Sequence, residues 1–314
     1  MTRKLILDTD GGVDDAQALL LLIGNGRPPD AITTVFGNVD IETATENVLV
    51  TLAVAGADIP VHKGAVEPLV AETIHARHVH GEDGLGGAPR PLDIADIEGA
   101  DAVGFLVATF MEAVVRGEKV DLLTIGPLTN IALALEAEPR IRDGIGQFTM
   151  MGATVWGRGN TTPAAEFNVY ADPEAAAVVF AAGLDMIVVP WEPCTTHFMT
   201  GVEIDGLFEF IPASDYKTFS QTLANHARRN LDENGKGDFF RFVDPFAAAV
   251  AIEPSIVTRS VRASVDVALA PGITRGMTVI DPSGRLGTPP VTVVEEARLD
   301  RLVALYAASV RYSP

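Results

Sequence analysis

Leu5-Ile6-Leu7-Asp8-Thr9-Asp10-Gly11-Gly12-Val13-Asp14-Asp15 decides the architecture of this 314-residue chain. The apolar run Leu5–Leu7 passes directly into acid, and a second apolar stretch, Ala16–Ile23, begins just after it. A short buried strand, a tight turn and a helix in that order open a β-α-β unit. Gly11 and Gly12 give the turn its freedom. Asp14 and Asp15 fall in the first turn of the helix. Asp8 and Asp10 are two residues apart, so they share a face if the strand continues that far. Four carboxylates between residues 8 and 15 therefore collect at the C-terminal end of a strand, which in an open parallel sheet is the edge where ligands bind.

The rest of the chain repeats this alternation. Ala31–Phe36, Ile59–Val61, Val120–Ile125, Phe148–Met151 and Met186–Val189 are predicted strands. Between them lie predicted helices over Thr43–Ala55, Asp101–Arg116, Leu128–Leu135 and Pro173–Ala182. The apolar stripe at 103, 106, 107, 110 and 114 gives Asp101–Arg116 its helical period. Residues 72–99 carry Gly, Pro, His and acids without period, which predicts a long loop of the kind that is functional or mobile. Residues 201–242 are more helical and polar. Val261–Leu269 alternates like an antiparallel edge strand, with Val279–Asp281 and Val291–Val294 as its partners. Glu296–Ala308 is the closing helix. The expected fold is α/β, an open, mostly parallel, Rossmann-like sheet flanked by helices, with a small antiparallel C-terminal portion. No linker or repeat divides it, so residues 1–314 are expected to form a single domain.

Composition narrows the functions. With 47% hydrophobic residues the chain buries a large core. Its 23 basic against 42 acidic residues give a net charge of −19, which repels phosphate backbones and anionic lipid. No nucleic acid and no membrane is expected among its partners. Cys194 stands alone, so no internal disulfide forms and no Cys-rich zinc site exists. No apolar run reaches the roughly 18 residues that span a bilayer, and the first apolar stretch is too short for a signal peptide. A soluble cytoplasmic protein is expected.

Crowded carboxylates repel unless something neutralises them. A helix N-terminus contributes about 0.3–1 kcal/mol, enough to settle one acid as a cap but not four. A divalent cation settles several. Oxygen donors without adjacent Cys or His favour Ca²⁺ or Mg²⁺ over zinc. The plainer reading keeps Asp14 and Asp15 as helix-start acids and Asp8 as a partly solvated one.

Further motifs follow in order. They are Phe36-Gly37-Asn38-Val39 with Thr45-Glu46-Asn47, His80-Gly81-Glu82-Asp83-Gly84-Leu85-Gly86, Gly126-Pro127-Leu128-Thr129-Asn130, Ala165-Glu166-Phe167-Asn168 with Asp172-Pro173-Glu174-Ala175-Ala176, and Val243-Asp244-Pro245-Phe246-Ala247. Together with Asp8–Ala16 they make the chain resemble the inosine–uridine-preferring nucleoside hydrolases, from Leu5 to about Val250. Gly11 stands where that family usually has proline.

The resemblance implies an N-glycosidase that hydrolyses ribonucleosides to ribose and free base in nucleoside salvage. It implies one Ca²⁺ held by Asp10, Asp15, Asp244 and the backbone carbonyl of Ile125, with Asp10 also the base toward water. It further implies Asp14 and Asn38 on the ribose hydroxyls and water, and Asn160, Glu166 and Asn168 on the 5′ side of the ribose. A homodimer or homotetramer is implied in the same way. The residue types suit the chemistry. A cation and an adjacent carboxylate activate water, and an anionic pocket stabilises an oxocarbenium-like transition state.

Other residues carry competing readings. Glu166 and Asn168 share a side in an extended segment, or simply flank a buried Phe167. Asn160 is also an ordinary turn residue, and Asp244 also a helix cap. His75, His78 and His80 cluster in the long loop. His80 is the candidate for base recognition or leaving-group protonation, against a solvated loop. Many family members have His where this chain has Val243, so this chain is expected to use another donor, to prefer bases that leave differently, or to be slow. The candidate replacements are His80, Trp156 and Arg241, the last a poor proton donor because it stays charged. Trp156 also suits stacking on the base, against a rim aromatic. His226 and Arg228–Arg229 lie on a helix placed to lid the site. Cys194 reads as structural. Two other functions remain open. One is a nucleoside- or ribose-binding protein impaired in catalysis, motivated by Val243. The other is a phosphatase of the haloacid dehalogenase type, which Asp8-Thr9-Asp10-Gly11 imitates but for which Lys119, Lys217 and Lys236 stand poorly.

Overall fold

The structure is a computed structural model, and it describes residues 3–314. The chain opens with β1 (Leu5–Thr9), α1 (Val13–Gly24), β2 (Ala31–Thr34), α2 (Ile41–Val54) and β3 (Val61–Lys63). A single turn, α3 (Arg77–His80), interrupts the long loop before α4 (Ala102–Arg116). Then come β4 (Val120–Thr124), α5 (Thr129–Ala137), β5 (Ile145–Met151), α6 (Phe167–Ala171), α7 (Pro173–Ala181) and β6 (Met186–Val189). The second half adds α8 (Trp191–Thr196), β7 (Phe198–Thr200), α9 (Gly201–Glu209), α10 (Asp215–Glu233), β8 (Phe239–Arg241) and α11 (Asp244–Ile252). It closes with β9 (Val257–Val267), β10 (Thr278–Asp281), β11 (Val291–Ala297) and α12 (Leu299–Val310).

Nine strands form one sheet in the order β10-β9-β11-β6-β5-β4-β1-β2-β3. From β3 to β11 every pairing is parallel, and β9 runs antiparallel to both β11 and β10. The expected antiparallel C-terminal portion is thus present with its expected partners. All of β1 is buried, because helices cover both faces. On one side α1, α2, α10, α11 and α12 share a core. On the other, α4, α5 and α7 share a second. The chain leaves β1 toward β2 on one side and returns to β4 on the other, so the strand order reverses between β1 and β4. That is the topological switch point, where an open α/β sheet leaves a crevice at its C-terminal edge.

Several boundaries differ from expectation. β3 starts at Val61, because Pro60 has no N–H to give a ladder and offers only its carbonyl to Ile32. β11 continues to Ala297, since Glu296 pairs with Arg259 of β9 in both ladder and charge, and the last helix starts only at Leu299. β9 begins at Val257, four residues before the alternation is visible. The β7–β8 ribbon was not anticipated.

Gly11 has φ +68°, a conformation closed to proline, and a Cβ there would lie 2.5 Å from the Ala44 carbonyl oxygen. Its own carbonyl accepts from Asn47 Nδ2 at 2.8 Å. Gly11→Ala is expected to lower unfolding free energy in urea by more than ~1 kcal/mol; an unchanged midpoint would contradict this turn.

Candidate active site

The site grows from the end of β1. The strand stops at Thr9, so its alternation does not carry to Asp10, and the two acids Asp8 and Asp10 take different partners. Asp8 is fully buried and braces the sheet. Its Oδ2 accepts from Thr33 Oγ1 and from Asn130 Nδ2 at 2.8 Å. Asn130 also donates to the Thr34 carbonyl and accepts from the Ala65 N–H. Asp10 instead meets the loop after β2. Its Oδ2 accepts the Asn38 N–H at 2.7 Å, and its Oδ1 accepts Asn38 Nδ2 at 3.0 Å. Gly37 makes this approach possible, since a Cβ there would lie 2.0 Å from Asp10 Oδ2.

Asp15 gathers the turn around itself. Oδ1 accepts from Thr9 Oγ1 and the Asp10 N–H, and Oδ2 accepts from the Gly12 N–H at 2.8 Å and from Asn38 Nδ2 at 3.0 Å. Asp14, one position earlier in the helix, keeps a buried Oδ1 with no hydrogen-bond partner. Asp244 opens α11 and is buried. One carboxylate oxygen from each of Asp14, Asp15 and Asp244 lies within 4.8 Å of the others. Asp10 adjoins this group with both its oxygens held by Asn38. The Ile125 carbonyl reaches the pocket lining and accepts from Asn168 Nδ2 at 3.1 Å. The geometric cluster therefore includes Asp14 where the sequence reading has Asp10.

Electrostatics is severe here. Burial pushes Asp10 well above the usual carboxylate range, and the charge of Asp15 pushes it further. Burial raises Asp14 to about 6. Asp15 is raised by burial and then by Asp14. Asp244 is raised well above its ordinary value by burial and then by Asp14, Asp15 and Asp10. These groups resist ionising together. A hard divalent cation among their oxygens removes the conflict, and Asp14 Oδ1, buried beside them without a partner, is an acceptor left for a bound group. The residues fit a metal.

Above the cluster lies a cavity of about 190 Å³ lined by Asp14, Asn38, His80, Asn160, Glu166, Asn168 and Asp244, among others. Glu166 caps α6, taking backbone N–H groups from Ala153, Asn168 and Val169, while burial raises it to about 7. Asn160 Oδ1 accepts the Phe167 N–H at 2.8 Å, and Asn168 Nδ2 donates to the Met151 carbonyl at 3.2 Å as well as to that of Ile125. These three expected substrate contacts thus sit on one wall, locked to the ends of β4 and β5.

The opposite wall holds His80, whose Nδ1 accepts the Val13 N–H at 3.1 Å and stands 3.5 Å from Asp14 Oδ1. Burial lowers His80 to about 4, so the ring is neutral and the accepted hydrogen bond leaves its proton on Nε2. α10 covers this wall. His226 Nε2 donates to the Val79 carbonyl at 2.9 Å, and Asn230 Nδ2 donates to that of His78 at 3.1 Å.

Trp156 does not join the lining. It is 68% exposed, although the backbone N–H groups of Val155 and Trp156 donate to the buried Glu192 carboxylate. Trp191 lines the pocket instead, with the Arg241 guanidinium 5.9 Å from its ring centre. Trp191 follows β6 by one residue beyond Pro190, so its place after a parallel strand was a usable signal. Gln17, Asn230 and Lys236 also line the cavity. Lys119 and Lys217 are tied to the carbonyls of Ile145 and Ile211.

A nine-stranded doubly wound sheet with an acidic, metal-compatible crevice at its switch point defines a class, the nucleoside hydrolase fold. Over 99% of each chain the structure superposes on a plant nucleoside hydrolase, PpNRh1, with a TM-score of 0.90 at 31% identity. In sequence the chain is 34% identical to an inosine-uridine preferring nucleoside hydrolase of Leishmania major, covering 90% of this chain and 88% of that one. It is also 34% identical to the pyrimidine-specific ribonucleoside hydrolase RihA of Escherichia coli K12, over 99% of both. Residues 5–304 match the inosine-uridine preferring nucleoside hydrolase family. The chain belongs to that family, and it is an N-glycosidase that hydrolyses ribonucleosides.

Asp14, Asp8 and Glu166 hold their protons to about 6, about 7 and about 7, against ordinary values of 3.8, 3.8 and 4.5. The folded state thus binds protons more tightly than the unfolded chain, and stability falls as pH rises across that window. Thermal melts of chelated protein are expected to drop steadily from about pH 5 to about pH 7.5, with an added divalent cation flattening the slope. A pH-independent melt that ignores both chelator and metal would contradict the metal role.

Proposed function

We propose that this enzyme takes uridine as a principal substrate and works with Ca²⁺ held by Asp10, Asp15, Asp244 and the Ile125 carbonyl. The carrying observation is the convergence of Asp10, Asp14, Asp15 and Asp244 below a cavity whose far wall bears Asn160, Glu166 and Asn168. A hard cation among such oxygens supplies Lewis acidity toward water and an anchor for vicinal hydroxyls.

The protein groups do the rest. Asp10 takes the proton of the attacking water at a carboxylate oxygen. Its place beside the cation-binding acids puts its carboxylate next to the water the cation would activate. Asn38, through its two hydrogen bonds, holds Asp10 in one orientation. Asp14 Oδ1 accepts a ribose hydroxyl, satisfying an atom that has no protein partner. Asn160, Glu166 and Asn168 hold the 5′ side of the sugar. Water adds at the anomeric carbon, the bond from that carbon to the base nitrogen breaks with its electron pair staying on the base, and the departing base takes up one proton from solvent as Asp10 returns the one it received from the water. Positive charge develops on the sugar during that step, and the surrounding acids stabilise it. His80 is the proposed hydrogen-bond donor to the leaving base through Nε2–H. Trp191 takes the stacking place that Trp156 is too exposed to fill.

Uridine is chosen because it lies within both relatives' named specificities. The lining residues run from Val13 to Asp244, which supports treating residues 1–314 as one domain. A homodimer or homotetramer rests on the family resemblance. Cytoplasmic residence, in a salvage role, suits a chain whose one cysteine is buried and free.

The test is a panel of nucleosides assayed for free base with and without Ca²⁺. Uridine turnover that needs Ca²⁺ is expected, and tight nucleoside binding without base release would overturn the reading. Asp10→Ala is expected to lower kcat by at least about 10²–10⁴-fold with folding retained; near-normal turnover would remove Asp10 as the base. His80→Ala is expected to lower kcat more on uridine than on p-nitrophenyl riboside, whose leaving group needs no proton. Equal losses on the two would reject His80.

A further inference from the structure

Gln17 is out of place by every rule of helix burial. From Ala16 to Ile23, α1 is otherwise wholly apolar and buried. Gln17 sits among these residues at 3% exposure, one turn after Asp14. Its Nε2 is buried and has no hydrogen-bond partner. A buried amide left without partners is costly, and native structures retain few such groups without a reason. Unlike the buried Ser220 hydroxyl, whose Oγ also lacks a partner, Gln17 lines the substrate cavity.

Its position gives the reason. Asp14, three residues earlier, faces the proposed sugar site, and three residues of helix advance about 4.5 Å along the axis. His80 on α3, His226 and Ala227 on α10, and Val243 before α11 line the same cavity as Gln17. Val243 offers no polar atom there. The carboxamide of Gln17 offers a donor and an acceptor side by side, in either order, since it can turn over.

We propose that Gln17 reads the nucleobase, its amide pairing with a lactam edge, an N–H beside a C=O, such as uracil and hypoxanthine present. This rests on the glycosidase reading above. The amide lacks a partner in the free enzyme and gains two from the base. Position 17 then becomes a determinant of base preference, separate from the carboxylates that handle the sugar.

Gln17→Leu tests this, since it keeps the volume and removes both polar atoms. Three substrates are compared: uridine, inosine and p-nitrophenyl riboside, whose leaving group has no lactam edge. The variant is expected to lose about tenfold in kcat/KM on uridine and inosine, and to stay within about twofold of wild type on p-nitrophenyl riboside. Its melting temperature is expected to hold or rise, because an apolar side chain replaces an unpartnered amide. Equal losses on all three substrates, or no loss on any, would overturn the assignment while wild-type turnover leaves the glycosidase reading intact. Wild-type protein that releases neither base nor p-nitrophenol would sink that reading and this one together.

Discussion

The constraint on which the rest depends is the mutual repulsion of acids packed at the end of β1. Asp10, Asp15 and Asp244 are buried, and Asp14 faces the pocket beside them. In a low-dielectric setting such charges push one another's proton affinities upward. The turn tolerates them because other groups are aimed at them. Asn38 gives two donors to Asp10 and one to Asp15, and the backbone N–H groups of Asp10 and Gly12 both point at Asp15. Those hydrogen bonds orient the carboxylates without neutralising them. The balance of charge is left for a cation and for a substrate whose sugar becomes positive as it reacts. Stability and catalysis are therefore set against each other at this spot, as expected of a preorganised anionic site.

The fold serves that spot from several sides. Parallel strands place the ends of β1, β4 and β5 at one edge. Asp8 and Asn130 stitch β1, β2 and the start of α5 together just behind it. Helix α11 brings Asp244 from more than two hundred residues away in sequence. Helix α10 contributes no acid to the cluster, yet its His226 and Asn230 grip the backbone of the α3 turn that carries His80. The acidic floor is thus held by the sheet, whereas the histidine wall is held by a few hydrogen bonds across a loop.

Much of this was legible in the sequence. The parallel core announces itself because strands covered on both faces are short apolar runs ending in punctuating residues. The grouping of Asp10, Asp14 and Asp15 was legible because strand, glycines and helix fix where they must lie, whereas the bracing role of Asp8 depends on Thr33 and Asn130, which only the fold brings to it. What escaped has physical causes too. The β7 and β8 strands are three residues each and carry no period to detect. Glu296 looked like a helix start because its pairing with Arg259 is invisible without the fold. Trp156 and Trp191 could not be told apart as pocket residues by type, since only the fold shows that Trp156 is exposed and Trp191 lines the cavity. Gln17 was hidden inside an apolar helix, where one polar residue draws no notice until its lack of partners is seen.

The most direct measurement is a crystal structure of the protein grown with calcium and a non-hydrolysable nucleoside, with anomalous scattering recorded to identify the ion. A single ion is expected beside Asp10, Asp15 and Asp244, about 2.3–2.6 Å from their carboxylate oxygens, with the sugar diol completing its shell. A hollow without the ion, its aspartates turned to solvent or paired with arginines, would contradict the account at its root.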